Sequence, residues 1–339
     1  MEWLAEYGLF AAKALTALVV IVIVLIMVAS LKGRQRKGEG VLQVVRLNDQ
    51  LARMTERLGH AVLDKPALKA LHKTRKQEAK ARSKGSAERD KVFVLNFHGD
   101  IKASALDSLR HEVTAVLELA TPRDEVVVKL ESGGGMVHAY GLAASQLTRI
   151  REAGVPLTVC VDKVAASGGY MMACIADRIL TAPFAMLGSI GVVAQLPNFH
   201  KVLRKHDIDY EMLTAGEYKR TLTLFGENTE KGREKFQEDL ENIHRLFKQF
   251  VGRYRPALNI DEVATGEVWF GSEALDRALA DELKTSDEYI SQRVRQADVF
   301  EVHFQRPKKL QDRFSATASA TLDRLLLTWV SRFHNQRFW

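Results

Sequence analysis

Two cysteines in 339 residues are too few for a disulfide framework or a cysteine-based metal site. Cys160 lies in an apolar strand-like run and Cys174 in a helix-like one, and both read as small buried residues. No Phe, Trp or Tyr occurs between Val41 and Lys91, so the basic block there lacks rings on which bases stack, and nucleic acid is not an expected partner. Histidine is missing from 168 to 199. Ser167, in "AASGG", also lacks the glycine two places before it that the nucleophile elbow G-x-S-x-G requires.

Charge is absent from residues 14 to 31, "ALTALVVIVIVLIMVASL", a run long enough to span a bilayer. Its acidic start, with Glu2 and Glu6, and its "VASLKGRQRK" end do not suit a cleaved signal peptide, so a retained anchor is expected. Residues 32 to 91 then hold 17 Lys and Arg against 7 Asp and Glu, a local excess of +10 in a chain of net charge +7. A basic block beside a span marks the cytoplasmic side and attracts anionic headgroups.

Residues 41 to 90 read as a charged, helix-forming stalk and linker, with Val41, Val44, Val45, Leu51 and Leu58 as its apolar positions. From Lys91 the texture changes. Short β-rich runs at 91–97, 125–131, 156–162, 177–182 and 190–194 alternate with helical patterns, which predicts βα units and a mainly parallel sheet covered by helices. A further strand-like run is read at 209–214. An amphipathic helix is predicted at about 230–255, stopped by Pro256. The last stretch, "LDRLLLTWVSRFHNQRFW", is basic and amphipathic, suited to a membrane surface or a neighbouring subunit.

Ser167 follows an apolar strand and precedes a helix, where free N–H groups and the helix dipole stabilise an oxyanion. A serine N-cap fits the same position. The three glycines of "ESGGGMVHAYG" end the neighbouring strand, where α/β sites form and backbone approaches substrate closely. A base for Ser167 is open to His98, His138 or a lysine withdrawn from water, of which Lys219 in "GEYKR" is set among Tyr218, Leu222, Leu224 and Phe225.

The blocks "FHGDI", "ESGGGMVHAYG", "VDKVAASGGYMMACIADRILTAPFAMLGSIGVV", "GEYKR" and "VATGEVWFGSEALDRALADEL" resemble the signal peptide peptidase A family of Ser-Lys proteases, and within it the SohB branch. The resemblance implies the α/β fold of the ClpP and crotonase superfamily. It also implies Ser167 as nucleophile, Lys219 as general base 52 residues on, and Ser189 as the hydroxyl that orients the lysine. An oxyanion hole would come from Gly134 and Gly168. Two departures stand out: Glu131 replaces the asparagine of Asn-Ser-x-Gly-Gly, and "ALADEL" replaces "GLVDEL".

The expected organisation is an anchor (1–31), a basic stalk (32–90), a protease domain (91–295) and a basic tail (296–339). The expected activity is serine endopeptidase action on signal-peptide remnants or unfolded segments, with no cofactor or metal, in a homo-oligomer on the bacterial inner membrane. The charge rule places the catalytic domain in the cytoplasm, whereas family members commonly act outside it. The competing readings are a non-catalytic membrane scaffold and acyl-CoA chemistry on a crotonase-like fold.

Overall fold

A computed structural model describes residues 40–84 and 89–305 of the chain. The predicted anchor and most of the predicted tail lie outside the described residues; among those described, no helix is long and apolar enough to cross a membrane.

The chain enters as β1 (Val41–Arg46) and two helices, α1 (Leu47–Val62) and α2 (Lys65–Lys84). Then follow β2 (Lys91–Gly99), α3 (Leu106–Leu117), β3 (Glu125–Ser132), α4 (Val137–Glu152), β4 (Leu157–Val161) and β5 (Val164–Ala166). Next come α5 (Gly168–Ala173), β6 (Arg178–Thr181), β7 (Met186–Gly188), α6 (His200–Lys205), α7 (Glu230–Tyr254), α8 (Ile260–Val263) and β8 (Val268–Phe270). The described part ends with α9 (Gly271–Asp276), β9 (Glu282–Leu283), α10 (Ser286–Gln296) and β10 (Asp298–Gln305).

The main sheet runs in the order β1, β10, β2, β3, β4, β6, β9, with parallel pairing from β10 to β9. Alternate residues of its strands feed two separate apolar layers. Phe93, Leu95, Phe97, Val126 and Val128 pack with α3, α4, α5 and α7, while Val92, Val94, Val127, Cys160 and Val299 meet α10 through Tyr289 and Val294. Burial on both faces is why these strands read as continuous apolar runs rather than alternating ones. The two cysteines fall in opposite layers, both free and buried, and burial pushes the Cys160 thiol up to about 12 and raises that of Cys174.

The predicted strands at 91–97, 125–131, 156–162 and 177–182 and the helix at 230–255 match β2, β3, β4, β6 and α7. Thr229 caps α7 by accepting from the Gly232 N–H at 3.1 Å. The runs at 190–194 and 209–214 are not strands: among the described residues no strand offers either a ladder, and Val193 and Leu213 are 80% and 94% exposed.

Residues 41–46, read as stalk, form β1, and β10 carries the sheet beyond 295, pairing Asp298 through Glu301 with Lys91 through Val94. Asn48 at the start of α1 is buried and donates to the carbonyls of Val294 and Ala297, both at 2.9 Å, while its side-chain oxygen accepts from the Val299 N–H at 2.8 Å. A buried amide with these partners costs little and fixes α1 against the turn into β10.

Candidate active site

β3 changes partner along its length. Val126 to Lys129 pair with β4, and Ser132 then pairs with Ala165 of β5. β5 in turn pairs with β7, Ala166 lying opposite Gly188. Three strand ends are thereby brought into line, and the residues just beyond them are the glycine turn 133–135, Ser167 and Ser189.

Ser167 holds φ 53° and ψ −119°, a region that glycine enters freely and other residues at a cost of about 1–3 kcal/mol. Its N–H donates to Gly188 O at 2.8 Å and its carbonyl accepts from Met171 N–H at 2.9 Å, so bonds on both sides hold the strained turn. The local sequence has room only for small residues. A Cβ on Gly168 would strike the Tyr140 ring, and one on Gly169 the Ser132 carbonyl. The backbone thus forms a sharp strand-to-helix elbow without the glycine that normally marks one. Ser167 does not act as an N-cap: its side chain accepts no capping bond.

Gly134 has φ +90°, and its Cα faces Ser167 so closely that a Cβ there would come within 2.7 Å of both Gly168 N and Ser167 Cβ. Gly168 is the first residue of α5, so its N–H has no intrahelical acceptor. The Gly134 N–H donates to Ser132 Oγ at 3.0 Å. Tyr140 Oη donates to Asp100 O at 2.8 Å, which leaves Ser132 Oγ to donate to Tyr140 at 2.5 Å. The resulting chain, Gly134 to Ser132 to Tyr140 to Asp100, pins the glycine turn to the end of β2. Tyr140 and Ser132 were not singled out in the sequence. "ESGGGMVHAY" places Tyr140 one helix turn past the glycines, but its partner Asp100 is 40 residues away in sequence.

Ser189, also at positive φ (49°), is fixed by its N–H donating to Glu267 O at 2.6 Å. Ser167, Gly134, Gly168 and Ser189 are therefore gathered at one end of the sheet. A small hollow opens there, lined by Ser167, Gly168, Gly135, Val137, Met171, Gly191, Val192 and, from α7, Ile243 and Phe247. Its side-chain walls are apolar apart from the serine.

Lys219 does not line this hollow. It is exposed in a turn where its N–H donates to Gly216 O at 3.2 Å. Its neighbours hold that turn against the start of α7: Glu217 pairs with Lys231 at 2.6 Å, and the Tyr218 ring lies 5.9 and 5.7 Å from the Lys231 and Lys235 ammonium groups. The Ser167–Lys219 pairing read from the sequence is thus left open in the single chain. His98 and His138 are exposed and do not line the hollow either. His98 Nδ1 lies 3.6 Å from Glu131, whose carboxylate is engaged by Lys163 Nζ at 3.0 and 3.1 Å.

Comparison with known proteins covers almost the whole chain. The model for peptidase family S49 N-terminal matches residues 2–147, and that for peptidase family S49 matches 149–299. The chain is 47% identical to "Probable protease SohB" of Haemophilus influenzae, over 93% of each chain, and 45% identical to "Probable protease SohB" of Buchnera aphidicola subsp. Schlechtendalia chinensis, over 86% of this chain and 100% of that one. "Protease 4" of Haemophilus influenzae is 27% identical over 60% of this chain and 34% of its own length. Likeness of this extent, at this identity, decides membership: the chain belongs to peptidase family S49.

Proposed function

We propose that the chain is a serine endopeptidase, with the fold of the ClpP and crotonase superfamily, anchored by residues 1–31 in the bacterial inner membrane. In this reading Ser167 is its nucleophile and Lys219 its general base. The observation that carries the proposal is Ser167 itself, held in a costly backbone conformation at the mouth of an apolar hollow, beside the first N–H of a helix. A scaffold has no use for that strain.

Lys219, in its neutral form, takes the Ser167 proton as Oγ bonds to the substrate carbonyl carbon. The oxyanion is held by the Gly168 N–H and by the Gly134 N–H, which exchanges Ser132 Oγ for the new acceptor. Collapse breaks the C–N bond, and the Lys219 ammonium protonates the departing amine. Water, deprotonated by the same lysine, then cleaves the acyl-enzyme and restores Ser167. Val137, Met171, Val192, Ile243 and Phe247 favour an apolar substrate side chain, as found in signal-peptide remnants and unfolded segments.

Lys219 reaches this chemistry through association of chains. The single chain leaves Phe184, Val193 and Leu213 80% or more exposed, apolar surface that a homo-oligomer could cover. In such an assembly Ser189 would be available to orient the Lys219 amine.

The test uses the full chain in detergent with a quenched-fluorescent apolar peptide and a labelled fluorophosphonate. Wild type should be labelled at Ser167 and hydrolyse the peptide. Ser167→Ala should do neither, and Lys219→Ala should lose about 10²–10⁴-fold in rate while melting normally. Undiminished hydrolysis by either variant would overturn the assignment.

A further inference from the structure

The helical hairpin that precedes the catalytic sheet brings together side chains the proteolytic reaction does not use. Glu56 and His60 stand one turn apart on α1, on the same face of the helix. His72 of α2 crosses opposite them, with its Nδ1 3.8 Å from Glu56 Oε1 and its ring centroid 5.8 Å from that of His60. One donor atom from each of the three lies within 4.8 Å of the other two, the only such trio of His, Cys, Asp or Glu side chains among the described residues.

The backbone is built to hold this arrangement. The residue beside His60 is Gly59, which is buried, and a Cβ there would come within 3.3 Å of Leu71, the neighbour of His72. The two helices are therefore in close contact at the level of the two imidazoles. The connection is a short turn, closed by Leu63 N–H donating to Gly59 O at 2.9 Å and by Asp64 accepting from the Ala67 N–H at 2.9 Å.

We propose that Glu56, His60 and His72 form a binding site for one Zn²⁺-class transition-metal ion, which staples α1 to α2. Two imidazoles and one carboxylate are a tetrahedral zinc donor set with the fourth position left to water. Donors bound at about 2.0–2.2 Å in that geometry lie about 3.3–3.6 Å apart, a closure from 4.8 Å that rotation of three partly exposed side chains can supply. The setting also selects the ion. α1 and α2 carry ten Lys and Arg against three Asp and Glu, so Ca²⁺ and Mg²⁺, which need several oxygens and a negative field, find no seat. An ion held by nitrogen ligation does. Because Asn48 fixes α1 to the sheet, the staple would set the direction in which the hairpin leaves the catalytic domain.

The experiment uses the untagged full chain in detergent, stripped with a chelator and titrated with Zn²⁺ by calorimetry and with Co²⁺ by visible absorption. One ion per chain should bind, Co²⁺ giving the intense bands of a tetrahedral site, with no competition from equimolar Mg²⁺. Loss of a direct ligand should exceed the roughly 10–100-fold cost of losing an outer partner. Accordingly, His60→Ala and His72→Ala should each weaken Zn²⁺ by more than about 100-fold, and Glu56→Gln by at least about 10-fold, whereas His206→Ala should bind as wild type. Circular dichroism confirms that the variants are folded. Absence of a saturable site, or equal affinity in the His60→Ala, His72→Ala double variant, overturns the proposal, whatever the peptidase activity does.

Discussion

Replacing Ser167 by glycine should leave the protein more stable than replacing it by alanine, although both remove the hydroxyl. At φ 53° and ψ −119° a residue with a Cβ pays about 1–3 kcal/mol that glycine does not. Glycine returns about 0.4–1 kcal/mol of this through the greater freedom it gives the unfolded chain. The net advantage of Ser167→Gly over Ser167→Ala is then about 1 kcal/mol, or about 2–4 °C in melting temperature for a large domain. The comparison cancels the lost hydroxyl and isolates the backbone. Thermal unfolding by circular dichroism, at one protein concentration in one detergent because assembly shifts Tm, provides the measurement. If Ser167→Gly melts at or below Ser167→Ala, the elbow is not strained, and the observation behind the proposed function fails.

The network behind the glycine turn gives a second prediction: Tyr140→Phe strands the buried Ser132 hydroxyl and the Asp100 carbonyl and should cost about 1–3 kcal/mol. Peptide hydrolysis by that variant should fall through kcat, because in the proposed mechanism the Gly134 N–H of the displaced turn holds the oxyanion; a change in stability alone would show that the turn is fixed by other means. The third concerns acid. Burial works to raise the Asp124 carboxyl, but hydrogen bonds from the Lys91 N–H, the Thr121 N–H and the Thr121 hydroxyl outweigh it and hold the group below its ordinary value. A carboxyl depressed in the folded state contributes stability that is complete above its unfolded value, about 3.9, and is lost as pH falls through the folded one. Melting curves of Asp124→Asn and wild type should therefore differ at pH 6 and converge toward pH 3; a constant difference would refute the linkage.

β2, β3, β4 and β6 were readable because burial on both faces leaves continuous apolar runs, as "EVVVKLE" does in β3, and α7 was readable because one face alone is buried. Local pattern failed where a partner decides the state. "VLQVVR" looks like the start of a charged helix until β10 lies beside it, whereas "IGVVA" has strand composition and, among the described residues, no strand to pair with. At the site, the glycines could be read because their types are forced by space: the Tyr140 ring and the Ser132 carbonyl leave no volume for side chains at 168 and 169. The hydrogen-bond chain through Ser132 and Tyr140 could not, since serine and tyrosine serve many purposes and Asp100 joins them only in three dimensions. Lys219 was named by resemblance alone, and in the single chain it is exposed, without the removal from water that a neutral lysine base needs.

The placing of the two thiols on opposite sides of the sheet has a use of its own. Cys174 belongs to the layer that carries Ser167 and Cys160 to the layer under α10, and each is within 1% of complete burial. A thiol reagent added to the native protein can modify either one only when its own layer opens. Their separate reaction rates are a built-in clock on each half of the fold, telling whether the side that carries Ser167 breathes independently of the side that secures the hairpin.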